Sequence, residues 1–319
     1  MAGRSLLSLI AVGVATVTVL LVGVDAGYGH LTDILGGVGP GWVVLAAALQ
    51  IPAFGAYAIA YHWAVGVDGG PRLRWKSTIS IVMAGFGAYA PLGGFDLDNK
   101  ALQKITDRRR AMQRVLGLGA LEYAILAPAA AICALVLLLD HARVHGGLLW
   151  PWILAVPIGF GFGLWIARPG NDVALRRGPH RLQVWVDHGL EGVRTLHRLV
   201  TCGDERIGAY AAIACYWAAD IASLYCALRA VGVQLGLASV ILAYATGYAA
   251  TRRTLPLAGA GVTEALMTYA LTWVGAPLAP ALAGVVVYRA FNLVAPALPA
   301  LLAHPHVRSR MRARPDATG

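Results

Sequence analysis

Apolar residues run along this chain in blocks rather than in stripes, with charged residues gathered between the blocks. Windows of about 20 residues with almost no charge recur throughout, and a helix of that length crosses a bilayer core of about 30 Å. Six windows predict full spans: 5–24, 42–65, 115–139, 148–167, 207–230 and 279–302. Two further segments are apolar but broken. One is STISIVMAGFGAYAPLGGFDLDNKAL, residues 77–102. The other follows the apolar run at 235–250 and reads TRRTLPLAGAGVTEALMTYALTWVG, residues 251–275. Each is either a full crossing or a hairpin that enters and leaves on one face.

Charge separates these alternatives. If both segments cross, the loop with Lys100, Lys104, Arg108, Arg109, Arg110 and Arg114 lies opposite Arg72, Arg74 and Lys76. The loop from Arg168 to Arg206 is then outside as well. If both are re-entrant, these loops share one face with Arg4 and with Arg308, Arg310, Arg312 and Arg314. The other face keeps Asp25, Asp33, Asp140 and Arg143. The re-entrant arrangement obeys the positive-inside rule almost everywhere, while two full crossings break it twice. The expected fold is therefore all-α and polytopic: about six spans, with two re-entrant helical hairpins entering from opposite faces. Residues 1–319 form one integral domain, with 1–303 embedded and 304–319 a basic cytoplasmic tail. Both termini are expected in the cytoplasm and the protein in the plasma (inner) membrane.

The two broken segments share a short likeness, Pro91–Gly94 (PLGG) and Pro256–Gly259 (PLAG), each followed by acids. Broken helices that meet near the midplane are how many transporters build a site. Between spans, Leu182, Val186, Leu190, Val193, Leu196 and Val200 recur at helical spacing among Arg and His, which predicts an interfacial amphipathic helix. The stretch Lys100–Arg114 is expected to form a second, more charged one.

Composition narrows the class. Hydrophobic residues make up 58% of the chain and charged residues 13%, about half the share usual in soluble domains. The net charge of +10 sits between spans, where it serves orientation and contact with anionic lipid rather than nucleic acid. Cys133, Cys215 and Cys226 fall in apolar spans, where small buried hydrophobes are expected, and Cys202 in a basic loop; no metal or disulfide spacing is present. The first apolar run is longer than a signal-peptide core and is expected to be retained.

No catalytic motif emerges. Asp96 and Asp98 are two residues apart, not the helical turn that metal–diphosphate chemistry needs. Neither a nucleophile-elbow serine, a His-Glu-x-x-His zinc motif nor a phosphate-binding Gly-Lys loop occurs. No enzymatic activity and no cofactor are expected.

Ionisable residues inside spans mark function by default. Here they are Glu122, Asp220, Arg252, Arg253, Glu264 and Arg289, with His62 as an interfacial anchor near Trp63. Glu122, close to the cytoplasmic start of its span, either snorkels, pairs with Arg114 or serves a site. Asp220 and Arg289 either pair with each other or line a wet cavity, and Arg289 forms a polar strip with Tyr288 and Asn292. In the second hairpin, Pro256 removes a backbone donor, and Gly259 and Gly261 permit a tight reversal. Thr263 is the expected N-cap, with Glu264 in the first turn. Two readings follow: Glu264 only caps, or the exposed amides with Arg252 and Arg253 form an anion site.

The segment 253–302 resembles the lysylphosphatidylglycerol synthase transmembrane region, also called the flippase-like membrane domain. The resemblance rests on Arg253, Pro256, Gly259, Gly261, Glu264, Gly275, Tyr288 and Arg289. The first hairpin, with Pro91, Gly93, Gly94 and Asp96, is similar to that family's earlier Gly-rich element. Leu257-Ala258-Gly259 stands where Pro-Gly-Gly is usual. An aminoacyl-transfer domain is not expected after the spans, and what the resemblance implies is the flippase-like half: moving or holding a polar lipid between leaflets. The expected ligand is an anionic phospholipid or polyprenyl-linked lipid whose headgroup and phosphate meet Arg252, Arg253 and Arg289, while Asp220 or Glu264 discriminates or couples protons. The alternative is a non-catalytic partner subunit of an envelope lipid- or glycan-modifying enzyme.

Overall fold

Two long apolar helices rich in alanine form the centre of the molecule. α2 (Pro40–Gly66) and α8 (Asp204–Ala230) lie antiparallel, and their contacts run in opposite order along the two sequences. Gly39 N donates to Ala230 O at 2.9 Å, and Ser223 Oγ donates to Ala46 O at 2.8 Å. Further along, Tyr57 meets Tyr216 with ring centroids 5.0 Å apart. Lipid tails are as apolar as leucine, so helices in a bilayer associate through close packing and internal hydrogen bonds. Ala46, Ala53, Ala56, Ala60 and Ala64 on α2, and Ala209, Ala212 and Ala227 on α8, supply that close packing from buried positions.

The computed structural model describes residues 21–66, 73–86, 94–142, 144–167, 204–248, 259, 261–293 and 296. Among them, all regular structure is helical. The other helices are α1 (Tyr28–Gly36), α3 (Trp75–Phe86), α4 (Gly94–Leu102), α5 (Arg108–Leu139), α6 (Gly146–Trp150), α7 (Val156–Ala167), α9 (Leu237–Tyr248) and α10 (Val262–Trp273). A π turn, Pro151–Ala155, joins α6 to α7, and α11 covers Leu278–Leu293. Four stretches are long and apolar enough to cross a bilayer: Pro40–Gly66, Arg108–Leu139, Gly146–Trp165 and Ile207–Ala230. The last is the most enclosed, with 67% of its apolar window buried, and Gly146–Trp165 the least, with 17%. α8 is thus a central strut and α6–α7 a lipid-facing edge. The span at 5–24 lies outside the described residues except for its end, as do most of 294–302 and the amphipathic stretch 182–200.

The two broken segments fold as pairs of short helices. α9 and α10 each have 12 residues, a rise of about 18 Å, too short for a crossing. α9 starts just beyond the end of α8, and residues 231–235 line one surface pocket with 275–277 and Pro280, beyond the end of α10. His145 N also donates to Trp273 O at 3.0 Å, which places the end of α10 beside the start of α6. Both helices therefore open onto one face. α3 begins beside the end of α2, where Trp75 stacks on His62 with centroids 4.2 Å apart. At its other end Phe86 reaches Phe54 and Tyr57, with centroids 5.3 and 4.6 Å away, halfway along α2. α4 then returns towards the start of α5, on the face opposite to that of α9 and α10. Two re-entrant pairs from opposite faces are what the distribution of charge requires.

Local details differ from expectation. The charged stretch Lys100–Arg114 is not one helix: Asp107 accepts from Arg110 N at 2.9 Å and starts α5 afresh. Gly261, not Thr263, is the N-cap of α10, because its φ of 85° lets the chain reverse where a Cβ would be strained. Cys226 is buried as expected, but Cys215 is exposed on the outside of α8.

Candidate functional site

The inner ends of α9 and α10 meet α2, α8 and α11 in one buried hydrogen-bonded network. Gln50 stands about 15 Å along α2, a helix of about 40 Å at 1.5 Å per residue, so the network lies near mid-depth. A polar group at that depth has no water to bond and must be satisfied by protein.

Asp220 on α8 is fully buried and accepts hydrogen bonds from four of the described residues. Gln50 Nε2 and Asn292 Nδ2 donate to Oδ1 at 3.0 and 3.1 Å. Tyr288 Oη donates to Oδ2 at 2.9 Å, and Tyr244 Oη donates to the same oxygen. Tyr244 and Tyr248 sit one turn apart at the inner end of α9, so both hydroxyls point into the network. Tyr248 Oη lies 2.8 Å from Tyr288 Oη.

Arg289 on α11 is 3% exposed. Its Nε pairs with Glu264 Oε1 at 2.6 Å, and Nη1 donates to Asn292 Oδ1 at 3.1 Å and to Tyr248 Oη at 3.2 Å. Asn292 lies one turn after Tyr288 and Arg289, so one face of α11 serves both charged centres. Glu264 has two roles: its Oε2 accepts from Gly261 N at 2.5 Å, closing the first turn of α10, while Oε1 holds the guanidinium. The choice between capping and chemistry posed by the sequence is thus not exclusive. Nor do Asp220 and Arg289 pair directly; Tyr288, Tyr248 and Asn292 stand between them.

The structure therefore gathers Asp220, Glu264, Tyr288 and Arg289. Gly261 forms the turn beside them, and Gly259, with φ of 70°, lies just before it. Arg252, Arg253, Pro256 and Gly93 lie outside the described residues. Gly94 opens α4, and Asp96 is in that helix with its side chain undescribed; both belong to the first re-entrant pair. Gln50, Tyr244 and Tyr248 are members the sequence reading missed. Gln50, a lone amide in an apolar run, was the available signal.

A family model, that of the lysylphosphatidylglycerol synthase TM region, matches residues 8–300. The chain belongs to that family. It is an integral membrane protein of a family tied to lipid-related processes, and no curated protein matches it. Of the family-like residues, Glu264, Tyr288 and Arg289 come together at mid-depth. Gly275, with φ of 104°, ends α10 at the membrane face instead.

Charge bounds what the site can do. Fully ionised, Asp220 and Glu264 against Arg289 leave an excess of one negative charge among the described residues. An anion reaching Arg289 must therefore compete with Glu264. A phosphate oxygen suits the exchange, since the guanidinium fork binds phosphate and carboxylate in the same way.

Proposed function

We propose that the protein is a flippase-like transporter that binds the phosphate of an anionic phospholipid or polyprenyl-linked lipid at Arg289 and passes the headgroup between leaflets. The observation that carries this reading is the buried Arg289–Glu264 pair at 2.6 Å, set where a re-entrant helix pair ends at mid-depth. Broken helices around a midplane site are a recurrent transporter design. Glu264 acts as the competing carboxylate: it keeps Arg289 neutralised when no lipid is bound and yields it to a phosphate. Arg252 and Arg253, four to five residues beyond Tyr248, add positive charge for that phosphate. The membrane is the plasma membrane, with the basic face cytoplasmic. No covalent step is involved.

The test is lipid movement in proteoliposomes, using fluorescent anionic, zwitterionic and polyprenyl-phosphate lipids and a quencher confined to the outside. Wild type is expected to move an anionic lipid. Arg289→Ala is expected to slow it about tenfold or more, because the phosphate loses a charge-assisted hydrogen bond of about 1.5–3 kcal/mol. Glu264→Gln, which keeps the shape and removes the charge, is expected to stop turnover. A folded wild-type protein that moves no lipid overturns the reading. That result favours the second one, a partner subunit of an envelope lipid- or glycan-modifying enzyme, which draws support from how completely Asp220 is satisfied.

A further inference from the structure

Among the described residues, Arg289 bonds one carboxylate directly and reaches a second only through neutral side chains. Glu264 takes the guanidinium Nε on Oε1 at 2.6 Å, while its Oε2 is turned to Gly261 N at 2.5 Å. The shorter route to Asp220 has a single member, Asn292. Its Oδ1 accepts from Arg289 Nη1 at 3.1 Å, and its Nδ2 donates to Asp220 Oδ1 at 3.1 Å. The longer route has two members. Arg289 Nη1 donates to Tyr248 Oη at 3.2 Å, the Tyr248 and Tyr288 hydroxyls are 2.8 Å apart, and Tyr288 Oη donates to Asp220 Oδ2 at 2.9 Å.

The two charges fix how these bridges point. A guanidinium only donates and an ionised carboxylate only accepts, so Asn292 must turn its oxygen to Arg289 and its nitrogen to Asp220. The same nitrogen lies 3.4 Å from Gln50 Oε1, a second acceptor, which agrees. Along the other route the single proton of Tyr288 goes to Asp220, so the proton between the hydroxyls is that of Tyr248. An amide offers an acceptor and a donor on separate atoms at one end of a short side chain. Leucine has nearly the same shape and offers neither, and an ionised aspartate has nothing to give Asp220. Helix geometry sets Asn292 beside Arg289, three residues on, in a position 5% exposed. Tertiary packing then brings in Asp220 from 72 residues away.

We propose that Asn292 is a positioning residue that decides which carboxylate holds Arg289. Its amide fills the space and the bonding sites through which Arg289 and Asp220 would otherwise meet, and so leaves the guanidinium to Glu264. The choice matters for a site that must exchange partners. Asp220 is also fixed by Gln50, Tyr244 and Tyr288, and a guanidinium drawn onto it becomes a buried pair that resists release. Glu264 has one oxygen committed to the first turn of α10 and holds Arg289 through the other. A phosphate, which presents several oxygens to the guanidinium fork, competes with that single contact. This consequence for anion exchange rests on the flippase reading; the control of Arg289 by Asn292 does not.

The test is nitrogen-15 NMR of arginine-labelled protein in lipid nanodiscs, where the Nε signal of Arg289 is identified by its loss in Arg289→Lys. In the wild-type background this signal is expected to shift strongly with Glu264→Gln and little with Asp220→Asn. In the Asn292→Leu background the order is expected to reverse, because the guanidinium has moved to Asp220. Asn292→Ala gives the same readout where gel filtration shows Asn292→Leu to be misfolded. If the signal still follows Glu264 in a folded variant at 292, the proposal is overturned. A second arm measures binding of phosphatidylglycerol, with phosphatidylcholine as control, by native mass spectrometry. Asp220→Asn is expected to raise phosphatidylglycerol binding about tenfold more in the Asn292→Leu background than in the wild-type one, a coupling of the size found between contacting residues. Additive effects there overturn the link between Asn292 and anion exchange. A signal that changes partner in a protein that binds no phosphatidylglycerol retires the phosphate reading and leaves the role of Asn292 standing.

Discussion

Each oxygen of Asp220 accepts two hydrogen bonds, from Gln50 and Asn292 on one side and from Tyr244 and Tyr288 on the other. Removing the carboxylate strands these donors in a dry interior, and each unmet group costs about 1–3 kcal/mol. Asp220→Ala is therefore expected to lower the thermal unfolding midpoint in detergent far more than Asp220→Asn, which keeps one acceptor. Equal midpoints for Asp220→Ala and wild type would mean that the network does not hold the helices. The charged members of this network were legible in the sequence because a charge in an apolar run stands out. Gln50, Tyr244 and Tyr248 were not. Uncharged polar side chains occur in spans for many reasons, and Gln50 meets its acceptor 170 residues away. Partner choice was hidden for the same reason: Asp220 and Arg289 looked like a pair, and only the placement of Glu264 at the start of α10 shows otherwise.

The crossing of α9 and α10 depends on one small residue. A Cβ built on Gly247 would come within 2.8 Å of Met267 Cβ and 2.9 Å of Met267 Cε. The Cε can swing away but the Cβ cannot, so a side chain at 247 must push the helices apart. Overpacking of this sort costs about 1–3 kcal/mol. Gly247→Ala is expected to lower the unfolding midpoint, and Gly247→Leu to lower it further. A midpoint unchanged in Gly247→Leu would show that the two helices do not pack this closely. At this scale the sequence was informative about interruptions and poor about ends. Pro256, Gly259 and Gly261 announced a break. The cap fell on Gly261 rather than Thr263 because a positive φ is a property of the backbone path, which no side-chain pattern encodes. The charged run 100–114 carried helix-forming residues throughout, and the capping Asp107 that divides it was one acid among many charges.

The arrangement of the whole chain turns on whether α3–α4 and α9–α10 enter and leave on one face each. Contacts say that they do: α3 starts against His62 near the end of α2, and both ends of the α9–α10 pair adjoin one pocket. The positive-inside count led to the same topology from charge alone, because loop charge depends on side and not on contact. Labelling of single cysteines, in a background with the four native cysteines replaced by serine, tests it. Lys76, Lys104, Gln234 and Pro277 are all exposed and flank the two pairs. With a membrane-impermeant maleimide on oriented vesicles, Lys76→Cys and Lys104→Cys are expected to react from the same side. Gln234→Cys and Pro277→Cys are expected to react together from the other. If Lys76→Cys and Lys104→Cys reacted from opposite sides, α3 and α4 would form a full crossing and the basic loops would be split between faces. The basic pair reacting from the cytoplasmic side would fix the orientation as well, since anionic lipid of the inner leaflet attracts Lys and Arg there by about 1 kcal/mol per charge.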